Sequence, residues 1–129
     1  MSEHTLSINC PRVIRKVPYG LLSANTRYHW SVNREVARTW RGLAATTART
    51  QGIPAMRRAR IVVTFHKATA RRYDPGNLAP VSKAIVDGLV DAGVLPDDSH
   101  EYLVGPDHRA GEKTTTPHVA VTITEMEDS

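Results

Sequence analysis

The sequence predicts a small α/β (α+β) fold: one mixed sheet of about four strands with two helices packed on it. Three observations lead there. Apolar residues switch between the two-residue period of strands and the 3.6-residue period of helices, in the order strand, helix, strand, helix, strand, strand. At 129 residues the chain is expected to form one domain, 1–129, long enough to bury a core without crosslinks. Glycine and proline punctuate the periodic runs where elements must end.

Thr5-Leu6-Ser7-Ile8-Asn9 alternates and reads as a short strand. Arg12 to Tyr19, punctuated by Pro11 and Pro18, extends it or forms a second short strand. Ser23-Ala24-Asn25-Thr26 has turn and cap chemistry. From about Trp30 to Arg49 the chain is Ala-rich and free of Pro, with Val32, Val36, Trp40, Leu43 and Ala44 at helical spacing; Gly52 and Pro54 stop that helix. Arg60 to His66 is a strand, and its near-continuous apolar run predicts burial on both faces. An Arg-rich loop from Lys67 to Asn77 leads to a second helix over about 78–92, with Pro80 tolerated only in its first turn and Gly93 as its stop. Asn77 is expected to cap it. Tyr102-Leu103-Val104 and 119–123 read as strands joined by a polar connection, 105–117. Glu125 to Ser129 is expected to fray.

The single cysteine, Cys10, excludes an internal disulfide and predicts a reducing, cytoplasmic setting. No apolar run approaches the ~20 residues that span a bilayer, and Met1-Ser2-Glu3-His4 lacks the pattern of a secretory leader, so no membrane partner is expected. The net charge of +4 conceals a split. Residues 1–72 hold 14 Lys and Arg against two acids, Glu3 and Glu35, whereas residues 73–129 hold three against eleven acids. A basic half of this kind fits a polyanion such as nucleic acid. The plainer alternative is that the two halves neutralise each other in the fold.

Five Asp and one Lys fall within residues 74–98: Asp74, Lys83, Asp87, Asp91, Asp97 and Asp98. On the second helix Val81, Ile85, Leu89 and Ala92 fall within an arc of about 80° that faces the core. Lys83, Asp87 and Asp91 share the other side. Alone, Lys83 and Asp87 form a solvated i,i+4 ion pair worth a few tenths of a kcal/mol. Val86 and Val90 flank that polar stripe, so a further element or subunit is expected to cover the helix there. Asp74 and Asp98 bracket the helix, and a 15-residue helix is roughly 22 Å long. Their meeting requires the Asp98 loop to turn back. Carboxylates beside a basic surface suit a divalent metal placed against a phosphodiester, with Mg²⁺ as the expected ion and Mn²⁺ as its substitute.

The stretch Arg71-Arg72-Tyr73-Asp74-Pro75-Gly76-Asn77-Leu78, then Lys83, Asp87-Gly88-Leu89, Gly93 and Asp97-Asp98-Ser99, resembles the RusA family of Holliday junction resolvases. The resemblance covers roughly residues 58–125, and Asn25-Thr26-Arg27-Tyr28 is similar to the family's N-N-R-Y element. It implies a homodimeric, Mg²⁺-dependent endonuclease that nicks a four-way DNA junction symmetrically, with Asp74, Lys83 and Asp98 as essential residues. Two departures stand out. The family's second carboxylate falls on Gly76, and the Asn77-to-Lys83 spacing is three residues longer than usual, with Pro80 inside it. A D-P-x-N form resembles phage and actinobacterial members, so the setting includes phage- or prophage-encoded proteins. Asp87 is the first candidate for the missing ligand and Asp97 the second.

The expected catalytic set is therefore Asp74, Lys83, Asp87 and Asp98, with Asp74, Asp87 and Asp98 on the metal. Arg27, Arg57, Arg58, Arg71 and Arg72 are the expected DNA contacts, with Arg34, Arg38, Arg41 and Arg49 on the first helix as further candidates. Tyr28, His29 and Trp30 are candidates for stacking on unpaired bases; Trp40 belongs to the core stripe and Trp30 is left open between the two roles. Cys10 reads as a small apolar filler, and His66, His100, His108 and His118 lack paired zinc spacing and read as surface or loop residues. No phosphate-cradling G-x-x-x-x-G-K is present, and no small-molecule cofactor is expected. Two alternatives remain: a non-catalytic binder of branched DNA that lost a ligand at Gly76, and a nuclease for other branched DNA.

Overall fold

The computed structural model describes residues 2–127; Asp128 and Ser129, part of the tail expected to fray, lie outside the described residues. The main sheet has the order β1-β6-β4-β5, formed by β1 (Glu3–Asn9), β4 (Ala59–His66), β5 (Leu103–Ala110) and β6 (His118–Glu125). β4 and β5 run parallel and the other pairs antiparallel, which makes the sheet mixed. Two helices, α1 (Trp30–Gln51) and α2 (Ala79–Asp91), accompany it, and β2 (Val13–Ile14) with β3 (Val17–Pro18) forms a small separate hairpin. The expected α+β architecture is the one observed.

β4 differs from expectation in its burial. Ile61, Val63 and Phe65 are fully buried, while Arg60 is exposed and Val62 and Thr64 are half-exposed. Only one face of the strand is in the core, because both helices lie on the same side of the sheet. The outer face carries Arg60, Val62, Thr64 and His66, of which the β-branched Val62 and Thr64 suit a pleated, half-solvated surface. β5 also departs from expectation, because it continues through Gly105-Pro106 to Ala110 rather than ending near Val104. It is an edge strand, where a residue without an N–H donor is tolerated. Glu125 and Met126, where the C-terminal tail begins, are fastened rather than frayed: Glu125 N donates to Ser2 O and Met126 N to Arg58 O, both at 2.9 Å.

α1 follows its apolar periodicity, burying Val32, Val36, Trp40, Ala44, Ala45 and Ala48. His29 caps it by accepting from Ser31 N, and Gly52 closes it in the left-handed region at φ 65°. α2 is preceded by a 3₁₀ turn over Pro75–Leu78, capped by Asp74. Its own N-cap position is Leu78, which makes no side-chain cap, so Asn77 does not cap the helix; the 3₁₀ turn shifts its start past Asn77 and brings Pro80 into the first turn. Val81, Ile85 and Leu89 are buried as expected.

α1 and α2 approach very closely at one point. A β-carbon on Gly88 would lie 2.3 Å from the Arg41 carbonyl oxygen and 2.8 Å from Ala44 Cβ. Only glycine fits there. Gly42, on the exposed side of α1, would meet nothing within 4 Å. Val86 is buried at 1 % exposure within the single core cluster, so the cover expected over that flank comes from the fold itself.

These two glycines give opposite expectations. Gly88→Ala should lower unfolding free energy by about 1–3 kcal/mol through overpacking. Gly42→Ala should raise it by about 0.5–1 kcal/mol through helix propensity. Urea denaturation of both variants checks the crossing; equal effects would contradict it.

Candidate active site and nucleic-acid cleft

The loop after α2 turns back because its apolar residues are anchored. Val94 and Leu95 are buried, Val94 N donates to Leu89 O, and Met56 N donates to Val94 O. Ser99 O then accepts from both Tyr102 N and Leu103 N. This path carries Asp98 back along the helix to Lys83, whose ammonium donates to Asp98 Oδ2 at 2.5 Å and to Asp87 Oδ1 at 2.8 Å. The return of the Asp98 loop, which the sequence required but could not place, therefore happens.

Of the expected catalytic residues, Lys83, Asp87 and Asp98 form one cluster. Asp74 is engaged elsewhere: its Oδ1 accepts from Gly76 N at 2.9 Å and caps the 3₁₀ turn. Asp91, on the same helix stripe, is held by Arg41 through two hydrogen bonds of 2.6 and 2.8 Å. Among the described residues, no three His, Cys, Asp or Glu side chains gather into a metal cage. The carboxylates at this site are arranged as a pair around one ammonium.

Electrostatics follow this geometry. The bonds to Asp87 and then Asp98 hold the Lys83 ammonium above its ordinary value of 10.5. The Lys83 bond holds the Asp98 carboxyl below its ordinary 3.8. Lys83 is 62 % exposed and Asp98 37 %, so water screens the cluster and it contributes little to stability. Burial pushes the Cys10 thiol up to about 11, which keeps it protonated and fits the filler reading.

Two hollows meet at Lys83. One, of about 380 Å³, lies between the helices and is lined by Arg34, Arg38 and Arg41 on α1 and by Pro80, Lys83 and Asp87 on α2. The other, of about 260 Å³, lies between α2 and β5, with Lys83, Val86, Asp98, Pro106 and His108 on its walls. The α1 arginines thus face the cluster, a placement fixed by the Gly88 crossing. Two inter-half pairs, Arg41–Asp91 and Arg60–Asp107, show partial neutralisation between the halves. Arg34 and Arg38 hold no carboxylate among the described residues.

The other expected DNA contacts are distributed around the fold. Arg71 and Arg72 are exposed on the loop entering the 3₁₀ turn, beside a hollow they share with Tyr73 and Lys113. Arg57 and Arg58 precede β4 at its opposite end, roughly 23 Å away at the usual rise of a strand, so the two pairs cannot hold the same phosphate. Arg27 is exposed in the turn before α1.

His108 reads from the sequence as a surface or loop residue. It stands on β5 with its ring stacked on Phe65 at 6.4 Å and its Nε2 buried without a partner among the described residues, at the wall of the second hollow. Its signal was hidden because 105–110 reads as polar loop. His66 and His118 are likewise strand residues, stacked at 4.5 Å across β4 and β6; of the histidines named above only His100 is a loop residue.

No family model and no curated protein matches this chain, so the RusA resemblance rests on its motif residues alone. Among the described residues no helix is long and apolar enough to cross a membrane.

The cluster has a pH signature. Stability from Asp98 is present above 3.8 and is lost as pH falls through its lowered value; stability from Lys83 is present below 10.5 and is lost as pH rises through its raised value. Carboxyl-carbon NMR should place the Asp98 midpoint below that of an ordinary aspartate, and Lys83→Met should move it upward. An unchanged midpoint in the variant would show that the bridge does not form in solution.

Proposed function

We propose that this chain is a Mg²⁺-dependent endonuclease that resolves four-way DNA junctions by paired, symmetric nicks, as its RusA-like motifs imply. The observation that carries the reading is the Lys83 ammonium bridging Asp87 and Asp98 beside a cleft walled by Arg34, Arg38 and Arg41.

The donor set fits magnesium, which is held through one or two carboxylates and keeps other positions for water and phosphate. Asp87 and Asp98 already converge on one cationic nitrogen, and they are the residues that would hold the ion. When bound, Mg²⁺ supplies charge neutralisation and an acidified water. Asp74 caps the 3₁₀ turn through Oδ1, so its other carboxylate oxygen is the one it would offer to this set. Lys83 has three N–H donors, two of them in use, and the third is available to a phosphate oxygen. Arg34 and Arg38 hold the backbone by charge without reading sequence. The second hollow, with His108 on its wall, gives the displaced strand or leaving group a partly apolar pocket.

Two nicks related by symmetry need two sites, and so a two-fold homodimer. A second reading, a branched-DNA binder without cleavage, is favoured by one specific observation. Gly76 stands where the family has a carboxylate, and its N–H occupies Asp74 Oδ1.

A junction-nicking assay with Mg²⁺ or Mn²⁺ separates the two readings. Cleavage is expected, with Asp87→Asn and Asp98→Asn each reducing it by about a hundredfold or more while junction binding without metal persists. Binding without nicking under both metals would leave the binder reading. Asp74→Asn reports on the capping carboxylate: full activity would remove Asp74 from the chemistry. Light scattering at micromolar protein should give a dimer, and a monomer would count against symmetric resolution.

A further inference from the structure

We propose that Trp30 is a stacking platform for an unstacked nucleobase of single-stranded or branch-point DNA, with the neighbouring phosphates held on the arginine wall of the cleft. The inference rests on reading that cleft as a DNA site, and it adds a base-recognition element that the phosphodiester chemistry does not require.

Trp30 is 64 % exposed, whereas Trp40 and Phe65 are fully buried. The exposed indole presents a flat π-face to solvent. Its neighbours specify the partner. Trp30 opens α1, and the Arg34 guanidinium, one turn along, lies 5.8 Å from its ring centroid. Arg34 also lines the hollow that contains Lys83 and Asp87. The His29 ring, 5.3 Å from the indole and tilted by 36°, extends the aromatic surface. Arg27 is exposed in the preceding turn. That turn is fastened to the 3₁₀ turn that leads into α2, since Ala24 N donates to Asn77 O at 2.8 Å.

An apolar face with the Arg34 guanidinium against it, and with Arg38 one turn further along the same helix, repels a basic protein surface and attracts phosphates. A nucleobase meets both conditions at once, because its π-face stacks on the indole while its phosphate meets the guanidinium groups. In intact duplex the bases are stacked on each other and offer no face, so the platform selects unpaired or branch-point nucleotides.

Tryptophan emission tests this, because Trp40 is buried with its Nε1 bonded to Gly20 O and Trp30 is the exposed reporter. The full chain is titrated in EDTA, so that no cleavage occurs, with an oligo-dT strand, a four-way junction and a linear duplex of matched length. Quenching of Trp30 by oligo-dT and junction, and much less by duplex, is expected. Trp30→Ala should weaken oligo-dT and junction binding by about tenfold while leaving duplex binding near parental, and Trp30→Phe should restore most of the loss. Unquenched Trp30 with both DNAs bound, or an unchanged junction-to-duplex ratio in Trp30→Ala, would overturn this proposal alone. Conversion of a dimer to monomer by Trp30→Ala would also overturn it, assigning the ring to a second copy of the chain. Failure of the parent to bind any of the three DNAs would overturn the functional reading along with it.

Discussion

The contact of Gly88 with the backbone of α1 is the constraint on which the rest of the site depends. With no side chain at that position, the two helices lie close enough for the Arg41 carbonyl to face the α2 backbone. The charged groups on the two helices are then set by helical geometry. On α2 Asp87 stands beside the crossing and Lys83 just over one turn before it; one to two turns before it on α1 stand Arg34 and Arg38. A bulkier residue would spread the helices, and the arginines would lose their position over the carboxylates. Packing in the core and placement of charge at the surface are thus one feature.

The second constraint is the anchored return of the loop after α2. Val94 and Leu95 enter the core, and the chain must reverse to start β5 parallel to β4. That reversal delivers Asp98 to a lysine 15 positions earlier in the sequence. The resulting bridge is exposed and weak as a source of stability. A weak, solvated pair of carboxylates around a displaceable ammonium is compatible with the metal and phosphate exchange proposed for it. A buried pair would resist that exchange.

Much of this arrangement was legible in the sequence. Strong local signals placed α1, β4 and α2 to within one or two residues, because alternation, helical stripes and the glycine stops at 52 and 93 act over short distances. The Lys83–Asp87 pair followed from helical spacing alone. What depended on tertiary context was missed. Asp107, His108 and Arg109 look like loop but lie on an edge strand, where polarity is tolerated. One-sided burial of β4 depends on where the helices sit, which an apolar run does not encode. Asp74 and Asp98 both flank α2 in sequence, yet only Asp98 reaches Lys83, since Asp74 is held by the amide of Gly76. The exposure of Trp30 against the burial of Trp40, ten residues on in the same helix, depends on which turn of α1 meets the sheet.

The central claim is that Asp87 and Asp98 form one cation site, with Lys83 holding it in the absence of metal. The most direct measurement is a Mg²⁺ titration followed by carboxyl-carbon NMR of aspartate-labelled protein together with the Lys83 ammonium signal. The account predicts that the Asp87 and Asp98 signals shift together and saturate at millimolar Mg²⁺ while the Lys83 signal changes in step. Carboxyl signals that stay fixed, or a shift confined to aspartates outside this pair, would contradict it.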